Sequence, residues 1–465
     1  MKKLALLEVI ALLALTGCLM GPNYKRPSVS VPSAYRAPTE AQTAAASSLG
    51  NEKWWRIYQD PVLVQLIHTA LAQNYDARIA ATRVLEAQAQ VVITRASQLP
   101  SASVGADVFS QQTAKIAKTS PAYEANVGQL NLSVVWNLDF WGKYRRQTEQ
   151  ARAQLLATEW GQRAVISSLV ANVATAYFQL RALDSELEIA KRTLVSRQQS
   201  LQLTQVLESH GSASGLDLSQ SQQLVYTASE TIPDLERQIQ QQENLLSILL
   251  GENPASIPRG RPLTEQSLPQ SIPAGLPSEL LERRPDVRQA EANVMAFNAQ
   301  IGVAKASNFP SFTLTGTGGL ESNALNNFIS RPSQTWDAVL CATQPVFEGG
   351  ALRAGIRLTR EQWQEAVLSY RQSVQNALQQ VSNALIAYEK NRQFREQQYL
   401  LTQAAQRSDQ LSLVLYQHGG ASYLQVLTSE TSYFAAELNL VQAQLNERIA
   451  LVQLYQALGG GWQEK

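Results

Sequence analysis

The sequence predicts an α+β protein made mainly of long α-helices, in which two tandem repeats each supply two β-strands and a section of a helical tunnel. Three observations carry this prediction: an internal repeat of constant offset, helical patterns far longer than those of globular proteins, and four segments with strand alternation. Because four strands are too few to close a membrane barrel, we expect the chain to oligomerise; three chains would give twelve strands and an even-numbered β-barrel.

The composition limits the possible functions. The chain has 465 residues and a net charge of +1, which argues against a nucleic-acid binder that relies on bulk positive charge. Charged residues make up 17% of the chain, below the roughly 25% of soluble domains, and neutral polar residues replace them. Three His and two Cys argue against a metal cluster or a disulfide framework, so we expect no metal and no cofactor. Cys341, with no thiol partner, is expected to be a small packed residue.

The first 17 residues have the pattern of an export signal. Two lysines precede a mostly apolar run, Leu4 to Leu15, that is too short to span a bilayer. The run ends in Leu15-Thr16-Gly17-Cys18, which resembles the bacterial lipoprotein box and implies cleavage before Cys18 and lipidation of its thiol. The alternative is an ordinary signal with a chance Cys. Leu19 stands where Asp would commonly retain a lipoprotein at the inner membrane, so the resemblance points to the outer membrane.

An internal repeat divides the rest of the chain. Motifs recur in the same order with an offset of about 210 residues. The matched pairs are 74–78 with 284–288, 99–100 with 309–310, 140–142 with 347–349, 210–214 with 418–422, and 250–251 with 458–459. Two copies of one unit are therefore predicted at 61–250 and 278–458. A leader at 18–60 precedes them, a Pro-rich connector at 251–277 separates them, and a tail at 459–465 follows.

Each repeat is expected to have the same series of elements. Asp60 and Pro61 begin a helix, as cap and first helical residue, and Pro100 stops the chain from continuing it beyond Gln98. The next expected elements are strands at 101–113 and 125–137, a helix that follows Gly142 and runs to Glu208, a tight turn, and a return helix to Leu250 that Pro233 should bend or break. The second repeat should have strands near 311–320 and 335–346, a helix from Leu352 to Gln417, and a return helix to Leu458.

Motifs over nearly the whole mature chain resemble one family. They lie at 18–27, 54–55, 138–142, 281–306, 346–350 and 455–462, and include Arg283-Arg284-Pro285-Asp286 and Leu458-Gly459-Gly460-Gly461-Trp462. They are similar to those of the NodT-type lipoprotein branch of the TolC-like outer membrane efflux proteins. The resemblance implies a homotrimer in which a twelve-stranded β-barrel in the outer membrane of a Gram-negative bacterium continues into a twelve-helix α-barrel in the periplasm.

The resemblance also implies a function. Members of the family are the exit ducts of tripartite efflux pumps and passively conduct drugs or other small molecules. An inner-membrane transporter, commonly of the resistance-nodulation-division class, loads the duct, and a periplasmic adaptor joins the two. Such a duct is not an enzyme, and the sequence has no phosphate loop or nucleophile–His–carboxylate set. Two alternatives remain: the outlet of a type I protein-secretion system, and a periplasmic coiled-coil scaffold lipoprotein, which would have no use for four alternating segments.

The turns between the long and the return helices are the expected contacts with the adaptor. In the family such turns meet the adaptor, and small residues let another backbone approach closely; the alternative is that they only form turns. The first tip is His210, Gly211, Ser212, Ala213, Ser214 and Gly215, and the second is His418, Gly419, Gly420, Ala421, Ser422 and Tyr423. For the two histidines, a turn residue at a helix end is favoured over a pH- or metal-responsive ring.

The periplasmic gate is the second site that the resemblance implies. The family closes its pore with a ring of Leu, an Asp and a nearby Arg, and the matching positions here are Leu424, Thr428 and Thr431. The charged pair is therefore absent, and Glu430 is the nearest carboxylate. Closure is expected to rest on Leu424 and weaker hydroxyl hydrogen bonds. Asp217, in the first tip, is either a second carboxylate at the entrance or a solvated residue at a helix start.

Overall fold

The helices and strands were obtained from a computed structural model that describes residues 19–36, 48–112, 124–266, 273 and 275–463. The predicted signal at 1–17, Cys18 and residue 113 of the first predicted strand lie outside the described residues. The described helices are α1 (Trp54–Ile57), α2 (Pro61–Gln73), α3 (Tyr75–Ala96), α4 (Lys143–Ser209), α5 (Gly215–Leu250), α6 (Leu280–Arg283), α7 (Pro285–Ala306), α8 (Ala351–Gln417) and α9 (Tyr423–Ala457). In the part of the chain that the structure describes, no helix combines the length and the apolar character needed to cross a membrane.

Four strands form one antiparallel sheet. They are β1 (Ser101–Gln112), β2 (Glu124–Leu138), β3 (Ser311–Ser322) and β4 (Gln334–Thr343), in the order β1-β2-β3-β4. The middle pair, β2 with β3, joins the first repeat to the second, with Leu132 opposite Gly318. The hairpins β1–β2 and β3–β4 therefore lie side by side in one sheet, joined by the antiparallel pair β2–β3.

The sheet has one apolar and one polar face. Because side chains alternate along a strand, the residues that the register places opposite one another share a face. The row through Leu132 has Val104 and Gly318 as neighbours, and further exposed apolar side chains on this face are Leu130, Val134, Trp136, Leu314, Trp336 and Leu340. The opposite face carries Ser103, Ser133, Thr317 and Asp337 in one row. Cys341 also lies on this polar face and is exposed, so the expectation that it is packed was wrong for the single chain.

The chain forms two compact units, and each contains segments of both repeats. Unit 1 consists of Met1–Ser28, Arg83–Glu159 and Gln289–Arg371, and it contains the sheet. Unit 2 consists of Val29–Thr82, Trp160–Arg288 and Gln372–Lys465, and it contains both tip turns. The repeats are thus interleaved in space rather than folded one after the other.

Two helices differ from the sequence prediction. The helix expected from Pro61 to Gln98 is interrupted at Asn74, whose Oδ1 accepts a hydrogen bond from the Ala77 amide at 3.1 Å and whose Nδ2 donates to the Leu249 carbonyl at 2.9 Å. Asn74 therefore caps a new helix, α3. Conversely, α5 runs from Gly215 to Leu250 without a break, although Pro233 lies inside it. Pro233 removes a backbone donor, but the rest of the helix continues.

Asp60 is the central polar residue of unit 2. It is fully buried, and its carboxylate accepts hydrogen bonds from the Val62 amide, the Tyr177 hydroxyl, the Arg261 amide and the Gln266 side chain, at 2.7–3.0 Å. Burial alone would raise the pKa of Asp60, but the hydrogen bonds from Gln266 and Tyr177 lower it. One carboxylate thus joins the start of the first repeat, a long helix and the connector.

Candidate functional site

At the first tip, α4 ends in a hydrogen-bonded turn and a capped helix, α5, begins a few residues later. Gly211 has a positive φ of 74°, and the Ser212 amide donates to the Leu207 carbonyl at 2.8 Å, which completes the last turn of α4. Ser214 and Asp217 then form a capping box, in which Asp217 accepts from the Ser214 amide at 2.9 Å and Ser214 accepts from the Asp217 amide at 3.2 Å. The Asp217 carboxylate is thus hydrogen-bonded to the cap residue of its own helix, α5.

At the second tip the turn has the same geometry as at the first, but the following helix, α9, is capped differently. Gly419 again has φ of 74°, and the Gly420 amide donates to the Leu415 carbonyl at 2.8 Å. Ser422 stands at the cap position of α9 without a side-chain hydrogen bond to it. Instead, the buried Tyr423 packs edge-on against Tyr416, with 5.4 Å between ring centroids. An aromatic pair therefore fixes the second tip where a polar capping box fixes the first.

Both tips are open to close approach. A Cβ atom built on Gly211, Gly215 or Gly419 would meet no atom within 4 Å. The remaining tip residues are exposed or half-exposed except Tyr423. The structure therefore brings the residues of each predicted tip together as a small exposed surface of glycine, serine and alanine with one histidine, and in the second tip Tyr423 is buried beneath it.

The two tip histidines make the same bond. Nδ1 of His210 lies 2.8 Å from the Val206 carbonyl oxygen, and Nδ1 of His418 lies 2.8 Å from the Val414 carbonyl oxygen. Since a carbonyl only accepts, Nδ1 carries the proton in each case. Each ring thus adds a hydrogen bond to a carbonyl in the last turn of its helix that also accepts from the backbone amide of the same histidine at 3.3 Å. Within the described residues, no group of three or more His, Cys, Asp or Glu side chains is placed to hold a metal ion.

The gate candidates fall on two faces of α9. Leu424 is 58% exposed, and Thr428 and Thr431 are exposed beside it. The two threonine hydroxyls donate to the carbonyls four residues earlier, Leu424 and Leu427, at 2.8 Å. The hydroxyl protons of both threonines are therefore used inside α9. A hydrogen bond that helps to close the gate would have to be accepted by a threonine oxygen, because neither hydroxyl has a proton left to donate. Glu430 is turned away from this face and accepts a hydrogen bond from Ser200 of α4 at 3.0 Å.

Glu430 belongs to a buried cluster that the sequence did not reveal. Its centre is Arg197 of α4, which is 2% exposed and donates from Nη1 to the Leu224 carbonyl of α5 at 2.9 Å. The guanidinium carbon of Arg197 also lies 5.1 Å from the ring centroid of Phe434 of α9. The long helices are rich in Gln, Ser and Arg, so no local pattern distinguishes this arginine from its solvated neighbours.

A second polar cluster fixes the leader in unit 1. Arg146 is 1% exposed, and its guanidinium donates to the carbonyls of Met20 and Gly21 at 3.0 and 3.3 Å and to Asn23 Oδ1 at 3.0 Å. Farther along, Glu291 accepts from the Tyr24 hydroxyl and pairs with Arg26 at 2.7 Å. The chain that follows Cys18 is therefore held by two buried charged side chains from the body of the protein.

These features define an outer membrane efflux protein: paired long helices with open tip turns, interleaved repeats and a two-faced sheet. The sequence model of the family described as "Outer membrane efflux protein" matches residues 66–252 and 276–460, and the chain belongs to this family. It is accordingly an outer membrane channel protein of efflux systems.

Three known proteins show how close the likeness is. The chain is 34% identical over 462 residues to the cation efflux system protein CusC of Escherichia coli O6:H1, covering 99% of each chain. It is 34% identical over 471 residues to the toluene efflux pump outer membrane protein TtgI of Pseudomonas putida, covering 98% of each. A crystal structure of a membrane protein from Pseudomonas aeruginosa is 31% identical, with a TM-score of 0.88 over 95% of this chain and all of that one. The predicted fold class, with its tandem repeats and helical tunnel section, is confirmed.

Proposed function

We propose that three copies of the chain form the exit duct of a tripartite pump. An inner-membrane transporter, of the resistance-nodulation-division class, delivers small molecules, and a periplasmic adaptor seals the junction at the tips. The observation that carries the proposal is the pair of open turns, since six such turns in a trimer would offer glycine-rich surfaces to which adaptor backbones can approach closely. The duct conducts passively.

The relatives support a class of cargo. CusC is named for cation efflux and TtgI for toluene efflux, so both names specify small solutes. These names favour export of small molecules over a type I protein-secretion outlet. They do not favour one small molecule over another, because the two named solutes have opposite polarity.

The membrane attachment uses two parts of the chain. We infer that the apolar face of the sheet, with Leu132 and its neighbours, contacts the lipid of the outer membrane, and that a lipidated Cys18 adds an anchor. A single acyl chain gives only marginal attachment, whereas several make it stable. The leader bonds of Arg146 would hold the anchored segment against unit 1.

Reconstitution tests the proposal directly. The purified mature protein in a planar bilayer should show discrete conductance steps, and chemical cross-linking should give a trimer. In cells, deletion of the gene should increase sensitivity to exported compounds, and the wild-type gene should restore resistance. A Gly215→Trp, Ser422→Trp double variant changes two exposed tip positions without a positive φ or a cap bond, and it should still conduct in the bilayer but fail to restore resistance, because the adaptor contact is blocked. A soluble monomer that never conducts would contradict the proposal.

A further inference from the structure

The Arg197 cluster, defined as Arg197, Asp409 and Glu430 with their contacts, lies where four helices meet in unit 2. Arg197 is on α4, its carbonyl acceptor at Leu224 is on α5, Asp409 is on α8, and Glu430 is on α9. Because Glu430 lies six residues after Leu424 in the same helix, the cluster bears directly on the segment that carries the gate candidates.

The cluster contains one positive and two negative side chains. Arg197 interacts electrostatically with both Glu430 and Asp409. Three of its polar atoms are buried without a hydrogen-bond partner among the described residues: Arg197 Nε, Asp409 Oδ1 and Glu430 Oε2. A buried charge is tolerated when an opposite charge balances it. One arginine balances one carboxylate, so the second carboxyl group is balanced only when it binds a proton.

The neighbouring charged groups do not neutralise the second carboxylate of the cluster. Glu437 of α9 is paired with Arg192 of α4, and it also accepts from the Tyr433 hydroxyl at 2.8 Å. Tyr423 and Tyr416 are the remaining titratable groups close to the cluster, together with Asp217 near the two tyrosines. The other groups that the described part of the chain places against the cluster are uncharged: the hydroxyl of Ser200, the carbonyl of Leu224 and the ring of Phe434. None of these is a second cation for the extra carboxylate.

The environment raises the pKa of both carboxyl groups, Asp409 and Glu430. Burial raises the pKa of Glu430, and Asp409 raises it further, while Ser200 and Arg197 oppose the shift. Burial also raises the pKa of Asp409, with a further contribution from Glu437 and an opposing one from Arg197. Burial lowers the pKa of Arg197. The packed helices therefore hold a proton on a carboxyl group more tightly than separated, hydrated helices would.

We propose that the Arg197 cluster is a proton-linked latch: α9 packs against α4 most firmly when Asp409 and Glu430 share one proton, and the contact loosens when both carboxyl groups are ionised. The consequence for the pore rests on the proposed function, because loosening this contact frees the segment of α9 that begins at Leu424. The ligand of this site is a proton, and the latch makes the resting closure of the duct depend on periplasmic pH.

Thermodynamic linkage between proton binding and helix packing gives the direction in which pH shifts the latch. A carboxyl group whose pKa is raised in the packed state contributes to packing at low pH, and this contribution is lost as pH rises through the raised pKa. Acidification therefore favours the closed state, and rising pH favours opening. The window lies above the ordinary values of 3.8 and 4.5 for the two carboxyl groups. For one linked proton, the closed-to-open equilibrium constant changes at most about tenfold per pH unit.

The test is single-channel recording of the trimer between pH 4.5 and 8, with Asp409→Asn, Glu430→Gln and Glu230→Gln. The wild type should open more as pH rises. Each cluster variant keeps one carboxylate opposite Arg197, so it should open less than the wild type at pH 7.5 and lose most of the pH dependence. Glu230 lies exposed on α5, and its variant should behave as the wild type. A flat wild-type profile, or cluster variants with the wild-type profile, would overturn the latch.

A second measurement does not depend on conduction. Hydrogen exchange of residues 197–204 and 424–437, corrected for intrinsic rates, should show more protection at pH 5 than at pH 7.5 in the wild type and equal protection in Asp409→Asn. Equal protection at both pH values in the wild type would also overturn the latch. A trimer that shows this pH-dependent protection but never conducts would instead count against the proposed duct.

Discussion

The guanidinium Nε of Arg146 donates a hydrogen bond to the backbone carbonyl of Met20 at 3.0 Å, across 126 positions of sequence. The carbonyl lies two residues after Cys18, so a side chain of α4 fixes the chain immediately behind the proposed anchor. The fit is close on the other side as well, because a Cβ on Gly21 would lie 2.5 Å from the Cα of Gly302. The leader is therefore a packed part of unit 1.

Replacing Arg146 should release the leader. Arg146→Ala removes hydrogen bonds from a charged donor, each worth about 1.5–3 kcal/mol, and leaves the carbonyls of Met20 and Gly21 without these donors. Limited proteolysis should then cut within 19–28 much faster than in the wild type. Arg152→Ala, an exposed arginine on the same helix, is the control and should leave the cleavage rate unchanged. Equal cleavage of the two variants would show that the leader is held by other contacts.

Lipidation of Cys18 can be tested by mass spectrometry. The mature wild-type protein should begin at Cys18 and carry the mass of acyl chains, whereas Cys18→Ser should give an unlipidated or uncleaved form. Export activity should persist in the variant, since the sheet also contacts the membrane in the proposed arrangement. An unmodified N-terminus at another residue in the wild type would disprove the anchor.

Two neighbouring residues of β2 should differ in how strongly a positive charge destabilises the protein. Leu132→Arg places the charge at mid-strand on the apolar face and should destabilise the folded protein in lipid by about 2–4 kcal/mol. Ser133→Arg places the same charge one residue later on the polar face and should cost far less. Urea unfolding in liposomes measures both. Equal losses would mean that the apolar face does not contact lipid.

Leu424 is predicted to form the narrowest ring of the resting pore. Leu424→Ala removes three exposed side chains from a trimer and should increase single-channel conductance clearly, while Thr428→Ala, one turn away, should change it less. Closure at this ring should depend little on salt, because screening weakens exposed charge pairs and leaves apolar contacts unchanged. Identical conductance of Leu424→Ala and wild type would place the constriction at another level.

The sequence predicted the elements that obey a local rule. Alternation located all four strands, and the glycines of the turns located the helix ends near Ser209 and Gln417. Asn74 is a preferred helix-cap residue, a local sign that the sequence prediction did not use, and its Nδ2 also donates to the Leu249 carbonyl, 175 residues away. The Arg197 cluster has no such sign, because its partners come from three other helices and a charged residue in a polar helix gives no local sign of burial.

The order β1-β2-β3-β4 has a consequence for the ancestry of the protein. Since the pair between the repeats is antiparallel like the pair within each hairpin, a half-length ancestor could have built the same sheet from separate molecules. The two halves now differ at their tips: the first has a capping box, and the second has the Tyr416–Tyr423 pair beside Leu424. A duplicated chain can carry two different tips in one protomer, whereas separate half-length molecules of one kind would all carry the same tip.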